Sequence, residues 1–156
     1  MTDSVLNGKK ILAVDDEPDV LAILEEEILD ACPKCTLDKA ATYENAVKLL
    51  ESTHYDVVIL DIMGVRGFDL LEVAVKKGLD VAMLTAHALN PEALKRARDM
   101  KARAYLPKEK LGEIVPFLED MLTHGHEPGW KRLLEKLESY FDRQFVDPDW
   151  RNKVGY

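Results

Sequence analysis

The sequence predicts an α/β fold in which helices cover both faces of a doubly wound, mostly parallel sheet. Three short apolar runs, residues 11–14, 57–60 and 81–84, indicate its clearest strands. Unbroken apolar runs of this length are typical of strands that are buried on both faces. Segments with helical periodicity separate these runs, and such alternation is characteristic of parallel sheets.

Two weaker strand candidates, residues 36–40 and 104–106, bring the predicted sheet to five strands. The first helix is expected to begin at Pro18, because the first helical position needs no N–H donor. Its apolar face carries residues spaced four apart, namely Val20, Leu24 and Ile28. Thr42 is the predicted N-cap of the second helix, since its hydroxyl can accept a hydrogen bond from the first turn.

Three further helices complete the alternation. The third is predicted over residues 68–77 and ends at Gly78, a residue type common just beyond helix ends. The pair Asn90 and Pro91 reads as the N-cap and first residue of the fourth, which runs to about residue 100. The fifth is expected from about residue 111 to 122. The result is a βα unit repeated five times.

Composition and charge exclude several classes of function. The net charge is −8 and the pI is near 5.0, so a surface for direct DNA binding is not expected. The longest unbroken apolar run has five residues, whereas a membrane-spanning helix needs about 20. The first ten residues contain no apolar segment that could act as a signal peptide. We therefore expect no membrane insertion and a cytoplasmic location.

The two cysteines, Cys32 and Cys35, form a Cys-x-x-Cys pair. Such a pair can be a redox couple or half of a zinc site. A second cysteine pair is absent from the sequence, and reduced cysteines are the rule in the cytosol. Two ordinary reduced thiols near a helix end are the favoured interpretation, with a redox or metal role as the alternative.

Polar side chains follow the predicted strands at matching positions. They are Asp15, Asp16 and Glu17 after residues 11–14, Asp61 after 57–60, Thr85 after 81–84 and Lys108 after 104–106. Each alone is explained as well by a turn or a helix cap. In open parallel sheets, however, ligands bind beyond the carboxyl ends of the strands. The repeated placement therefore predicts one shared site.

This set of side chains suits phosphoryl transfer. Carboxylates forced together repel each other, and a hard divalent cation such as Mg²⁺ relieves the repulsion. Lys108 offers a positive charge and Thr85 a hydroxyl donor, both suited to phosphate oxygens. A carboxylate beside a metal ion, a lysine and a hydroxyl can act as a nucleophile toward phosphorus.

Four segments resemble receiver domains of two-component response regulators. They read Ile-Leu-Ala-Val-Asp-Asp-Glu-Pro at 11–18, Asp-Val-Val-Ile-Leu-Asp-Ile-Met at 56–63, Met-Leu-Thr-Ala-His-Ala at 83–88 and Ala-Tyr-Leu-Pro-Lys at 104–108. The resemblance spans about residues 8–124, which we interpret as the receiver domain. It implies a flavodoxin-like fold whose five parallel strands have the order 2-1-3-4-5, with a C-terminal helical extension.

The resemblance also implies an acceptor and a metal site. Asp61 matches the phosphoacceptor. Asp16 and Asp61 would bind Mg²⁺ directly, together with the backbone carbonyl of Met63, and Asp15 would hold the ion through water.

Three more positions match residues that act on the phosphoryl group. Lys108 would bind the incoming phosphoryl oxygen, and Thr85 would bond to the group after transfer. Tyr105 matches the aromatic switch residue that turns inward when Thr85 moves; a half-buried strand tyrosine is the alternative. Met63 and His87 flank the expected phosphate site and would influence the lifetime of the phosphorylated form.

The sequence departs from the family pattern in two places. The loop after the acceptor, residues 62–68, is shorter by about two residues if Gly67 aligns with the usual glycine. Glu109 follows Lys108 where proline is frequent, so a cis-proline is not expected there. A carboxylate beside Lys108 is expected to weaken its attraction for phosphate.

The last 32 residues, 125–156, are expected to form an amphipathic helix and a tail rather than an independent domain. Gly125, Pro128 and Gly129 are interpreted as a break in the chain. Apolar residues then recur with helical spacing: Trp130, Leu133, Leu134, Leu137 and Phe141. The helix would dock on its own domain or, alternatively, on a second copy or a partner. Phe145, Trp150 and Tyr156 suggest that the tail also lies against something.

The leading hypothesis for function is a stand-alone receiver that is a signalling phosphoacceptor rather than an enzyme. A histidine kinase or histidine phosphotransfer protein would donate the phosphoryl group. The output would be altered binding of an unknown protein to the surface formed by the fourth helix, fifth strand and fifth helix.

The alternatives are a degenerate receiver that acts as a scaffold without phosphate, and an aspartate-dependent phosphatase. Met63 stands where such phosphatases carry a second acid. A dinucleotide or flavin site is disfavoured because no Gly-x-Gly-x-x-Gly motif follows the first strand.

Overall fold

The computed structural model of the protein describes residues 4–86 and 90–155. Its strands are β1 (Lys10–Val14), β2 (Thr36–Ala40), β3 (Val57–Asp61), β4 (Asp80–Thr85) and β5 (Ala104–Pro107). They form a sheet in the order β2-β1-β3-β4-β5, and all neighbouring strands are parallel. The predicted fold class and strand order are confirmed, and each predicted strand lies within or coincides with an observed one.

Burial along the strands explains why the central runs are wholly apolar. Every residue of β3 except its last is apolar and completely buried, and β1 is buried from Ile11 to Val14. The edge strand β2 instead has exposed residues at Thr36 and Lys39 and half-buried residues at Leu37 and Asp38. A strand covered on both faces loses apolar area from water on both sides, so only apolar side chains suit it.

The helices are α1 (Pro18–Ala31), α2 (Tyr43–Ser52), α3 (Gly67–Lys76), α4 (Pro91–Asp99), α5 (Ile114–Thr123), α6 (His126–Gln144) and α7 (Trp150–Val154). Helix α1 contacts α5, and α2 contacts α3, so they pack in two groups over the sheet. All five helices predicted before residue 124 are present, with small shifts at their ends.

The predicted caps are confirmed. Thr42 Oγ1 accepts a hydrogen bond from the N–H of Asn45 at 3.2 Å, and Asn90 Oδ1 accepts one from Ala93 at 2.8 Å. These bonds satisfy N–H groups of the first turn that have no partner within the helix. Gly78 has a φ of +77°, the left-handed conformation that closes the end of α3.

The fifth helix begins later than predicted. A 3₁₀ segment, Lys108–Glu113, connects β5 to α5, and regular α-helix starts at Ile114 rather than near residue 111. Pro116 therefore lies in the first turn of α5. A proline there removes no helical hydrogen bond, because first-turn N–H groups have no intrahelical acceptor.

The C-terminal helix begins earlier than predicted. Gly125 is its N-cap, but Pro128 and Gly129 lie inside α6, so the interpretation of these two residues as a break is wrong. Helix α6 packs against α5 and β5, and α7 packs against α4. Docking of this segment on its own domain is confirmed. Phe145 and Trp150 are buried, while Tyr156 lies outside the described residues.

Both cysteines are free and buried. The Cys35 thiol donates a hydrogen bond to the Leu6 carbonyl at 2.8 Å, and burial raises the pKa of Cys35 to about 11. A buried thiol with a raised pKa forms little thiolate, the form that binds metals and attacks disulfides. These are the properties of structural cysteines, in line with the favoured interpretation.

Across residues 4–86 and 90–155, no helix has both the length and the apolar character that crossing a membrane requires.

Candidate functional site

The carboxyl ends of four strands bring the predicted site residues together. Asp61 ends β3 and Thr85 ends β4, while Asp15 directly follows β1. The register aligns Asp61 with Leu84, so the acceptor lies one residue from the level of Thr85. Thr85 in turn pairs with Pro107, and Lys108 comes next along the chain. Side chains that are up to 93 residues apart in sequence therefore share one edge of the sheet.

Three carboxylates form the acidic part of the site. Oxygen atoms of Asp15, Asp16 and Asp61 all lie within 4.8 Å of one another. Asp15 and Asp61 are buried, whereas Asp16 is exposed. Repulsion among carboxylates this close favours either protonation or a bound cation.

Lys108 lies among the same carboxylates. Its Nζ atom is 2.8 Å from Asp15 Oδ2, 3.3 Å from Asp61 Oδ1 and 2.9 Å from Glu17 Oε1. Lys108 is thus a point positive charge that is shared by three acidic side chains. The contact with Glu17 was not foreseen, although Glu17 is the third acid of the run after β1.

The pKa values of the site follow from burial and from these charges. Burial and the neighbouring Asp15 carboxylate raise the pKa of Asp61 to about 6, and Lys108 opposes this rise. Burial likewise raises the pKa of Asp15, against the lowering effect of Lys108. Burial acts to lower the pKa of Lys108, but its pairing with Asp15 and Glu17 outweighs burial and raises it.

The donor set fits a hard divalent cation. Asp15 Oδ2 is completely buried and lies 2.8 Å from the Lys108 ammonium. Gly64, with a φ of +84°, lies so close to Asp16 that a Cβ atom there would be 2.5 Å from Asp16 Oδ2. A cluster of carboxylate oxygens is the type of donor set that Mg²⁺ prefers.

The loop after Asp61 has a defined shape despite its short length. Gly64 and Arg66 both have positive φ values, and Gly67 begins α3 with its N–H donated to the Ile62 carbonyl at 3.1 Å. The Arg66 guanidinium stacks 4.0 Å from the ring centroid of Tyr43. The Met63 side chain is exposed beside the site. His87 lies outside the described residues.

Thr85 and Tyr105 form a buried pair behind the carboxylates. Thr85 is 2% exposed and Tyr105 is not exposed at all. The Thr85 hydroxyl lies near the Tyr105 phenol, and burial raises the pKa of that phenol. On its other side, the Tyr105 ring lies 6.4 Å from that of Phe141 in α6. Tyr105 is therefore fully buried rather than half-buried, and its role as a switch stays a prediction.

Glu109 has a partner that its position in the sequence does not reveal. Its Oε1 accepts a hydrogen bond from the Tyr140 hydroxyl of α6 at 3.0 Å. The carboxylate beside Lys108 is thus engaged by the C-terminal helix, and the expectation about its effect on phosphate stays a prediction.

Comparisons of this chain with a family model and with known proteins all indicate the same family. Residues 11–118 match the family model described as response regulator receiver domain. Over 128 residues the chain is 34% identical to the transcriptional regulatory protein TcrA of Mycobacterium tuberculosis. The aligned residues make up 79% of this chain and 49% of TcrA. Over 87 residues it is 38% identical to the two-component response regulator ARR18 of Arabidopsis thaliana, covering 52% of this chain and 13% of that protein. The chain thus spans half or less of the length of these relatives.

Solved structures show the same fold. The response regulator DrrB of Thermotoga maritima superposes with a TM-score of 0.63 and 21% identity, over 74% of this chain and 52% of that one. At this identity the likeness establishes the fold, and the family assignment comes from the sequence matches.

Proposed function

The chain belongs to the receiver-domain family of two-component response regulators, and on that premise we propose that it accepts a phosphoryl group on Asp61. Proteins of this family are signalling phosphoacceptors. The observation that carries the proposal is the position of Asp61, which is buried at a strand end between two further aspartates and 3.3 Å from the Lys108 ammonium. The proposed donor is a phosphohistidine of a histidine kinase or phosphotransfer protein.

In the proposed reaction, a carboxylate oxygen of Asp61 attacks the phosphorus atom of the donor. The new bond is an acyl phosphate, and the bond from phosphorus to the donor's histidine nitrogen breaks. Lys108 neutralises charge on a phosphoryl oxygen, and Thr85 donates a hydrogen bond to another after transfer. These residues stabilise and position the transferred group, which needs little covalent assistance.

Mg²⁺ is the proposed cofactor. Asp16 and Asp61 would bind it directly with the Met63 backbone carbonyl, and Asp15 would hold it through water. When bound, the ion would offset the negative charge of the carboxylates and of the phosphoryl oxygens. The clustered oxygen atoms of Asp15, Asp16 and Asp61 and the absence of a Cβ at Gly64 support this assignment.

We propose residues 8–124 as the receiver domain and 125–156 as a C-terminal amphipathic helix and tail that do not form an independent domain. The output is proposed to be a change in protein–protein interaction, through Thr85 and Tyr105. The stand-alone arrangement and the cytoplasmic location stay predictions, and so does a homodimer.

The decisive test is the intact mass of the chain after incubation with acetyl phosphate, with and without Mg²⁺. We expect one added phosphoryl group that requires Mg²⁺ and is absent from Asp61→Asn. Asp56→Asn, a carboxylate at the opposite end of β3, is the matched control and should still be phosphorylated. Failure of the parent chain to gain mass under any condition would favour a scaffold that works without phosphate.

A further inference from the structure

We propose that residues 126–155 act as a cover on the surface made by α4, β5 and α5, and that phosphorylation of Asp61 loosens this cover. The inference rests on the proposed function, since it requires a phosphoryl group at Asp61. The surface is the one expected to carry the output. In this structure, however, the chain's own α6 and α7 occupy it.

The cover is held mainly by apolar contacts of α6. Its buried residues are Trp130, Leu133, Leu134, Leu137, Tyr140 and Phe141. Trp130 also donates a buried hydrogen bond of 2.8 Å from Nε1 to the Ala102 carbonyl, just before β5. An aromatic residue that is buried and hydrogen-bonded sets the orientation of the helix as well as its affinity.

The second half of the cover is attached to α4. Arg98 donates hydrogen bonds to the carbonyls of Val154 and Gly155, at 3.1 and 3.3 Å, and pairs with Glu127 of α6. Trp150 packs edge-on against Phe141 with ring centroids 5.5 Å apart, so α7 and α6 support each other. Residues 126–155 therefore contact both flanks of β5.

Tyr105 provides the first link between the cover and the site. Its phenol lies near the Thr85 hydroxyl, and its ring centroid is 6.4 Å from that of Phe141 in the cover. Once the Thr85 hydroxyl turns to donate its hydrogen to a phosphoryl oxygen on Asp61, the packing around Tyr105 changes and its ring shifts. Since Tyr105 is fully buried and interiors are close-packed, its movement is passed to Phe141.

Glu109 provides the second link. It directly follows Lys108, whose ammonium is shared by Asp15, Glu17 and Asp61, and its carboxylate accepts the Tyr140 hydroxyl at 3.0 Å. A phosphoryl group would draw the Lys108 ammonium toward its own oxygens. The backbone at Lys108 and Glu109 would shift with it, and the bond from Tyr140 to Glu109 would be strained. Both links thus favour a looser cover in the phosphorylated state.

Hydrogen–deuterium exchange of the backbone amides of α6 tests the inference. The chain is compared without additives and with Mg²⁺ and beryllofluoride, a stable mimic of an aspartyl phosphate, and intact mass after acetyl phosphate confirms the acceptor chemistry in parallel. We expect exchange in α6 to rise by about 5- to 150-fold, the usual range of coupling between two sites. Exchange in the amides of α2, far from the cover, should not change.

Two matched tyrosine variants identify the route. Tyr140→Phe keeps the ring against Phe141 but removes the hydroxyl bonded to Glu109. Without additives, this variant should raise α6 exchange by about 2- to 10-fold, as expected for one lost hydrogen bond. The additional rise in α6 exchange on adding Mg²⁺ and beryllofluoride should be smaller than in the parent chain. Tyr55→Phe removes a comparable hydrogen bond, from Tyr55 to Asp38 of the opposite edge strand β2. This control should change neither the exchange of α6 before addition nor its rise with beryllofluoride.

The outcomes separate the two proposals. Phosphorylation in the mass assay with unchanged or slower exchange in α6 would overturn the cover mechanism alone. No phosphorylation would remove both the acceptor function and this inference. A full response in Tyr140→Phe would refute the link through Glu109 and leave the link through Tyr105 to explain the coupling.

Discussion

The Asp15 carboxylate and the Lys108 ammonium both lie close to the buried Asp61, and burial and these two charges set the pKa of Asp61. Burial and repulsion from Asp15 outweigh Lys108, so the pKa of Asp61 is about 6. At neutral pH without metal, the carboxylate is ionised at a cost to the folded state. A bound cation would relieve this repulsion and favour the ionised carboxylate.

The raised pKa predicts how Asp61→Asn changes stability with pH. The folded pKa of about 6 exceeds the usual 3.8, so the contribution of Asp61 to stability is greatest below pH 4 and is lost as the pH rises through 6. At pH 7 in EDTA, the substitution should raise the free energy of unfolding by about 1 to 3 kcal/mol. At pH 4 the gain should nearly vanish.

Urea denaturation at the two pH values measures this difference. Asp30→Asn, an exposed carboxylate in the last turn of α1, is the control and should stay within about 0.5 kcal/mol at both pH values. An equal gain for Asp61→Asn at pH 4 and pH 7 would contradict the raised pKa.

Gly64 predicts a second effect at the residue scale. A Cβ atom at this position would meet Asp16 Oδ2 at 2.5 Å, and the φ of +84° disfavours any side chain. Gly64→Ala should therefore weaken Mg²⁺ binding by roughly 10- to 100-fold, as for a displaced outer partner of a metal ligand. Titration calorimetry measures the affinity. Gly112→Ala, where a Cβ meets nothing within 4 Å, should bind Mg²⁺ normally; equal binding by both variants would exclude Gly64 from the site.

Among the elements, α6 connects the C-terminal residues to β5 and α5. One side of it contacts β5 and α5. Phe141 stacks on Phe145 with ring centroids 5.1 Å apart and packs edge-on against Trp150 at 5.5 Å. Aromatic side chains bury large apolar areas and lose little conformational entropy for that area. The C-terminal cover is therefore part of the folded core rather than an appendage.

Phe141→Ala tests the contribution of α6 to stability. Removing a fully buried phenyl ring should lower the free energy of unfolding by about 3 to 5 kcal/mol through lost burial and a cavity. Thermal and urea denaturation provide the measurement. The control is Val146→Ala, whose side chain is 99% exposed and should change stability little. A loss below about 1 kcal/mol for Phe141→Ala would mean that α6 is only loosely attached.

Across the whole molecule, the net negative charge and the cover formed by α6 and α7 lie in different parts of the chain. Residues 125–156 carry six basic and six acidic side chains, so the net charge of −8 belongs to the part of the chain that holds the site. The site itself is open to solvent at Asp16 and Met63, while α6 and α7 cover the surface beside β5. Asp16 and Met63 are therefore exposed without displacement of the cover.

Cation binding predicts a change in the stability of the whole chain. A ligand that binds only the folded state stabilises it by about 1.4 kcal/mol when its concentration is ten times its Kd. The Tm should therefore rise with MgCl₂ and not with NaCl of equal ionic strength. In Asp16→Asn the rise should be lost or shifted to much higher concentrations. An equal rise in both salts would point to general screening of the negative charge.

Local sequence pattern was sufficient to predict most helices and strands of this protein and the residues of the candidate site. Apolar runs, caps at Thr42 and Asn90, and polar residues at four strand ends are properties of short segments, and the rule for parallel sheets brings those ends together. The start of α6 was missed because Pro128 and Gly129 usually interrupt helices, and only the first-turn position makes them acceptable.

What the sequence by itself determined is the alternating fold, its strand order through the family resemblance, and the set of residues at the strand ends. Tertiary structure alone decided the contact of Glu17 with Lys108, 91 residues apart, and of Glu109 with Tyr140, 31 residues apart. It also decided that α6 docks on β5 instead of a partner. The physical reason is that periodicity reveals an apolar face but not the surface that it meets, since that choice depends on shape and on pairings between distant segments.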